Sequence, residues 1–155
     1  MSNFLVALST WLHTLATIVM IGYYVFLTLI YLPIFENQLQ ANALRELLEQ
    51  VSVRLRPFFG GSLLVFLVTG TYLMFINEDY LGLGNFFANS WSVLIVVKHV
   101  LVVTFLALAV FSERAYLAQI SDQNIGALKK FRWAVNINTI QGLVILLLTS
   151  IAQAG

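Results

Sequence analysis

Residues 91–111 read WSVLIVVKHVLVVTFLALAVF, an apolar run in which Lys98 and His99 are the only ionisable residues. A bilayer core requires about 20 apolar residues of helix, so this run predicts a membrane-spanning helix. Three further runs meet the same criterion, at residues 4–31, 58–76 and 133–152. The sequence therefore predicts an all-α integral membrane protein, a four-helix up-down bundle that forms a single transmembrane domain over residues 1–155.

The composition supports this fold class and excludes several kinds of site. Of the 155 residues, 60% are hydrophobic and only 10% are charged. The net charge of +1 provides no basic surface for nucleic acid, and we expect no nucleic-acid partner. The absence of cysteine excludes disulfides, thiolate metal sites, iron–sulfur clusters and covalently attached haem. We interpret the first apolar run as a mature spanning helix, because it is too long for a signal peptide.

The distribution of basic residues predicts an orientation in the membrane. Seven of the eight Lys and Arg residues lie between spans one and two or between spans three and four, or at the borders of these segments. The segment between spans two and three has none and carries Glu78 and Asp79. By the positive-inside rule, we expect both termini to lie outside the cytoplasm, in a bacterial inner membrane.

The segment 37–56 differs from the spans because its apolar residues recur at helical spacing between charged ones. This pattern predicts an amphipathic helix between spans one and two. The helix would either lie on the membrane surface or extend span two into the cytosol. We expect Pro33 to end span one and Pro57 to lie in the first turn of span two.

Two histidines are predicted to lie at one depth in two different spans. Counted from the outer surface, His13 in span one and His99 in span three are both about 12–14 Å deep. Spans one and three are diagonal neighbours in an up-down bundle, and ionisable groups in a membrane usually face its interior. The pair therefore predicts axial ligation of a non-covalent haem b, with quinol or a periplasmic-side protein as redox partner.

Small residues are predicted to lie near the same level as the histidines. Thr17, Gly70 and Gly142 would let a cofactor approach the backbone, and we predict that they contact it. The alternative is that such residues only mediate helix packing.

Lys98 and the methionines allow other chemistry. Lys98 could be a counter-charge to a haem propionate or a proton-transfer group, or its ammonium could extend to the outer surface. His13 and His99, together with Met20, could instead bind copper. Adaptable packing of Met20 and Met74 is the simpler interpretation of the methionines.

The pattern resembles the copper resistance protein D (CopD) type of four-helix membrane protein, and more distantly the HemJ-type protoporphyrinogen oxidases. The matching pieces lie in the first three spans and at their borders. They are Trp11-Leu12-His13 in span one and Pro33 at its end, Arg54 and Arg56 before span two and Thr69-Gly70-Thr71-Tyr72-Leu73 within it, and Trp91 and Lys98 in span three with Arg114 after it. The resemblance implies a haem b-binding or copper-handling bundle. The HemJ-like pattern implies that His13 and Lys98 form the functional pair, with Lys98 catalytic. The chain departs from that pattern in its His99 and in the Ile34-Phe35 that follows Pro33.

Four functions remain open from the sequence. The first is a small cytochrome b-like protein that transfers electrons in the outer half of the bilayer, as an oxidoreductase or redox subunit. The second is a porphyrinogen oxidase, and the third is a protein of copper transport or handling. The fourth is a structural subunit of a larger membrane complex. Membrane lipid is a partner in every case, and a homo-oligomer is a further expectation.

Overall fold

A computed structural model describes residues 3–82, 84–85 and 87–154, and it confirms the predicted four-helix membrane architecture. The first span consists of α1 (Asn3–Phe26), a π-helical turn (Leu27–Tyr31) and the short helix α2 (Leu32–Phe35). The others are α3 (Ala41–Ile76), α4 (Ser90–Ala115) and α5 (Ile125–Ala154), with a 3₁₀ turn at Leu117–Gln119. All four are long and apolar enough to cross a bilayer.

The sequence predicted that the first span ends at Pro33. In the structure it continues to Phe35. Proline lacks an N–H, and its ring collides with the carbonyl of the residue four positions earlier, here Leu29. The backbone is widened into a π-helical turn over Leu27–Tyr31, which surrounds that carbonyl. This local widening lets the helix pass through Pro33 instead of ending there.

The amphipathic segment and the second span form one 36-residue helix, α3. The expectation that Pro57 lies in the first turn of a span was wrong, because residues 41–56 are already helical. Of the two predicted placements, the segment therefore takes the extension of span two, with Leu44 and Leu48 buried. Asp122 stabilises the start of α3, since its carboxylate accepts a hydrogen bond from the backbone N–H of Ala41 (2.9 Å).

The helices are arranged around a square with one open side. α1 packs along α3, α4 packs along α5, and α1 also packs against α5. α3 and α4, in contrast, make little contact with each other. This places α1 diagonally across from α4 and leaves an opening between α3 and α4.

The two ends of the bundle differ in character. One end carries the start of α1, the end of α5 and the α3–α4 connection, and we call it the terminal end. The other carries segments 36–40 and 116–124 and most of the basic residues, and we call it the basic end. The largest cluster of buried apolar side chains lies toward the basic end and includes Leu27, Leu32, Leu117, Ile120 and Phe131.

α5 packs closely against α1 at Gly142. A methyl group added there would lie 2.7 Å from Cγ2 of Ile21, which is buried. Small residues allow this kind of backbone approach between membrane helices. Gly142 thus acts in helix packing in this structure, because the Ile21 side chain occupies the space above it.

We expect Gly142→Ala to destabilise the bundle by about 1–3 kcal/mol, because Ile21 must move to admit the methyl group. Gly22→Ala is the matched control, since nothing lies within 4 Å of the added carbon. Unfolding in mixed detergent micelles would measure both. Equal stability of the two variants would contradict the packing described here.

Candidate functional site

The His13 side chain is held in a slot on the surface of α3. Its ring stacks on Phe66 with the two centroids 4.4 Å apart and the planes 22° from parallel. Gly70 forms the floor of the slot, where an added Cβ would lie 2.9 Å from Cε1 of His13. The imidazole therefore packs on an aromatic ring and on bare backbone, and this contact exists only because residue 70 has no side chain.

Hydrogen bonds fix which ring nitrogen of His13 carries the proton. Nδ1 lies 3.2 Å from the Phe66 carbonyl oxygen and 3.0 Å from Oγ1 of Thr69. A carbonyl can only accept, so Nδ1–H is the donor. The Thr69 hydroxyl directs its own proton to the Val65 carbonyl at 2.6 Å, which leaves its lone pair to accept from Nδ1–H.

Nε2 of the neutral His13 ring consequently carries the free lone pair. No donor or acceptor contacts it within residues 3–82, 84–85 and 87–154. An imidazole that donates one N–H to an oriented acceptor and presents its other nitrogen is the usual form of a histidine metal ligand. The α1–α3 interface thus leaves the lone pair of Nε2 of His13 free to accept a hydrogen bond or to act as a ligand.

The inward face of α1 continues this line toward the basic end. Thr17 and Met20 follow His13 at helical spacing, and both are buried. They line a small apolar void of about 20 Å³ at the centre of the bundle, to which Val102, Phe105 and Ile145 also contribute. Because this void touches all four spans, the Met20 thioether lies where the spans converge.

Thr17, predicted as a cofactor contact, donates its hydroxyl hydrogen to the His13 carbonyl at 2.8 Å. That bond is internal to α1 and leaves the hydroxyl proton unavailable to a ligand.

Met74 lies on the other side of His13. It is half-buried on α3, one turn beyond Gly70 in the direction of the terminal end. The order along the bundle axis is therefore Met74, His13 and Met20, and these two methionines are the thioethers of the described residues.

The structure does not bring His99 to His13. The His99 side chain is exposed on α4, and its Nδ1 lies 2.7 Å from the carbonyl of Ile95 in the same helix. Its neighbours Val100 and Val103 are exposed as well, which marks this face of α4 as turned to lipid. A haem held axially by both histidines does not fit this arrangement, since it would require α4 to rotate.

Lys98 instead occupies the inward side of α4. It is half-buried, whereas its neighbour His99 is exposed. It shares a helical face with Val102 and Phe105, which line the central void. Adjacent residues differ by about 100° around a helix, so when Lys98 faces inward His99 cannot.

A buried polar layer next to the π-helical turn was not predicted as a site. Thr139 donates to the Tyr24 carbonyl at 3.0 Å, and its hydroxyl lies 2.7 Å from that of Thr28. The side chain of Asn138 is fully buried and has no hydrogen-bond partner for either amide atom in the described part of the chain. In the sequence, Asn138 and Thr139 are polar residues within an otherwise apolar span, which signals this layer. Only the structure shows that the layer closes against the π-helical turn.

The sequence placed Gly70 at the level of His13, but it did not single out Phe66 as a contact of the imidazole. The available signal was the spacing of Phe66, Thr69 and Gly70, which puts all three on one face of a helix. No group of three or more His, Asp or Glu side chains that could hold a metal ion occurs among the described residues. A metal ion at His13 would therefore need softer or backbone ligands besides the imidazole.

We expect nitrogen NMR of the His99→Gln protein to show His13 as the Nδ1-protonated tautomer, because its two partners at Nδ1 are acceptors. Gly70→Ala should displace the ring and change this spectrum, while Gly61→Ala, with nothing within 4 Å of the new carbon, should not. An Nε2-protonated ring in the unaltered slot would contradict the assignment.

No curated protein and no solved structure matches the chain. The family model of copper resistance protein D (CopD) matches residues 49–152, which are 104 of the 155 residues and include all of α4 and most of α3 and α5. The chain therefore belongs to the copper resistance protein D family.

Proposed function

We propose that this protein carries copper, as the cuprous ion, along the α1–α3 interface of the bundle. The observation that carries the proposal is the free Nε2 of His13, in line with Met20 on one buried face of α1. Membership of the copper resistance protein D family supports copper as the cargo.

The chemistry of the three side chains suits cuprous copper. Thioether sulfur is a soft ligand that favours Cu(I), and imidazole is a good ligand for copper in either oxidation state. The chain has no cysteine, so the soft ligands available to it are the methionines. A pathway with weak single ligands also lets an ion leave each position, which a closed thiolate site would prevent.

The spacing favours successive binding over one shared site. Seven residues separate His13 from Met20, a rise of about 10 Å along α1. Four residues separate Gly70, which contacts His13, from Met74, a rise of about 6 Å along α3. Copper would pass from one ligand to the next, with His13 between the two thioethers.

Lys98 is the electrostatic element of the proposed pathway. An ammonium on the inward side of α4 opposes a cation in the bundle interior and limits how tightly the ion is held there. In the orientation predicted by the basic residues, Met74 lies toward the outer surface and Met20 toward the cytoplasm. The proposal includes this orientation, with both termini outside the cytoplasm, and a location in a bacterial inner membrane.

The other predicted functions have less support. Haem b ligation with electron transfer to quinol or a periplasmic-side partner remains a prediction, and the outward-facing His99 makes it the less favoured one. Porphyrinogen oxidation by Lys98 and a structural role in a larger membrane complex or homo-oligomer likewise stay predictions.

Uptake of cuprous ions into proteoliposomes tests the proposal. We expect His13→Ala to slow uptake by about tenfold or more, because it removes the only nitrogen ligand of the pathway. Met20→Leu and Met74→Leu should each slow it several-fold, since leucine keeps the volume and removes the sulfur.

His99→Ala is the matched control and should leave uptake unchanged, because His99 faces lipid. Lys98→Met should raise copper affinity, because it removes a positive charge from the inward side of α4. Uptake that is equally fast in His13→Ala, or lost equally in His99→Ala, would overturn the proposal.

A further inference from the structure

A second and larger cavity, of about 460 Å³, lies at the basic end between α3 and α4. It occupies the side of the bundle where these two helices make little contact with each other. Its deep wall is aromatic and aliphatic, with Tyr24, Phe59 and Phe131 among its residues. Its volume is in the range of small-molecule binding sites.

The rim of this cavity is charged. Arg56 of α3 donates to Glu113 of α4 at 2.6 Å, which is the polar link between the two helices here. Arg114 also lines the cavity, and it makes no ion pair with any residue that the structure describes. The two guanidiniums face one carboxylate, so the rim has one excess positive charge.

The ion pair with Glu113 leaves Arg56 with hydrogen-bond donors for another anion. The side chains of Arg56 and Glu113 are 64% and 31% exposed, and exposed ion pairs are weak. A guanidinium has five N–H donors, and Arg56 directs one of them to Glu113. Arg56 can therefore donate to a second anion beside Glu113, together with the unpaired Arg114.

The position of the rim relates it to the membrane surface. Arg56 directly precedes the apolar run of α3, and Arg114 follows that of α4. From the ends of these apolar runs, we place both arginines at the level where the hydrocarbon of a bilayer meets the headgroups. Basic pockets between spanning helices at this level bind anionic headgroups.

We propose that this cavity binds one anionic phospholipid, with its phosphate on Arg114 and Arg56 and an acyl chain against Tyr24, Phe59 and Phe131. The apolar wall argues for a lipid over a free anion, since a free phosphate would leave that wall uncovered. The acyl chain would fill the gap between α3 and α4 and join the two halves of the bundle. This site is separate from the proposed copper pathway and does not depend on it.

Native mass spectrometry of the delipidated full-length protein tests the site, with phosphatidylglycerol and phosphatidylcholine as probes. We expect one phosphatidylglycerol to remain bound at concentrations where phosphatidylcholine does not. Arg114→Gln should weaken its binding by about tenfold, the typical effect of losing a charged hydrogen bond.

Arg54→Gln is the matched control, because Arg54 is an exposed cation of α3 that does not line the cavity. Ala109→Phe, which fills the cavity and keeps both arginines, should also release the lipid. Thermal unfolding would verify that each variant is folded. Because Arg114 is exposed, Arg114→Gln tests the site even if Ala109→Phe fails to fold.

Three results would overturn the proposal. The first is equal retention of the two lipids, and the second is equal loss in Arg114→Gln and Arg54→Gln. The third is displacement of phosphatidylglycerol by millimolar inorganic phosphate, which would identify a site for free anions.

Discussion

The stacking of His13 on Phe66 above Gly70 determines how the first two spans pack. The ring occupies a position that any side chain at residue 70 would block. Its Nδ1–H is shared between a backbone carbonyl and Thr69, so the rotation of α1 against α3 is fixed by hydrogen bonds as well as by shape. One contact therefore sets both the helix pairing and the nitrogen that is presented to a ligand.

From this fixed pair, the other features of the interior follow. Because His13 faces α3, the residues at helical spacing below it face the centre of the bundle, and Met20 reaches the void shared by all spans. α5 closes against an adjacent face of α1 through Gly142 and through the Thr139–Tyr24 hydrogen bond. α4 is held mainly by α5, which leaves the gap toward α3 that forms the second cavity.

The sequence was sufficient for the number of spans, since hydrophobic length alone identifies a helix that crosses a bilayer. The sequence was not sufficient to predict whether the helices continue through their prolines. Pro33 is absorbed by a π-helical turn and Pro57 lies within a long helix, and both outcomes depend on neighbouring packing. The depth of His99 could be counted, but its direction could not, because a shift of one residue turns a side chain by about 100°. Equal depth therefore predicted that His13 and His99 form a pair. In the structure, Lys98 faces inward and His99 faces outward.

X-ray absorption at the copper edge tests the central claim that His13 is a copper ligand. The cuprous-loaded protein is expected to show the multiple-scattering pattern of one imidazole, and His13→Ala is expected to lose it while His99→Ala keeps it. An imidazole signal that persists in His13→Ala, or that disappears in His99→Ala, would contradict the account.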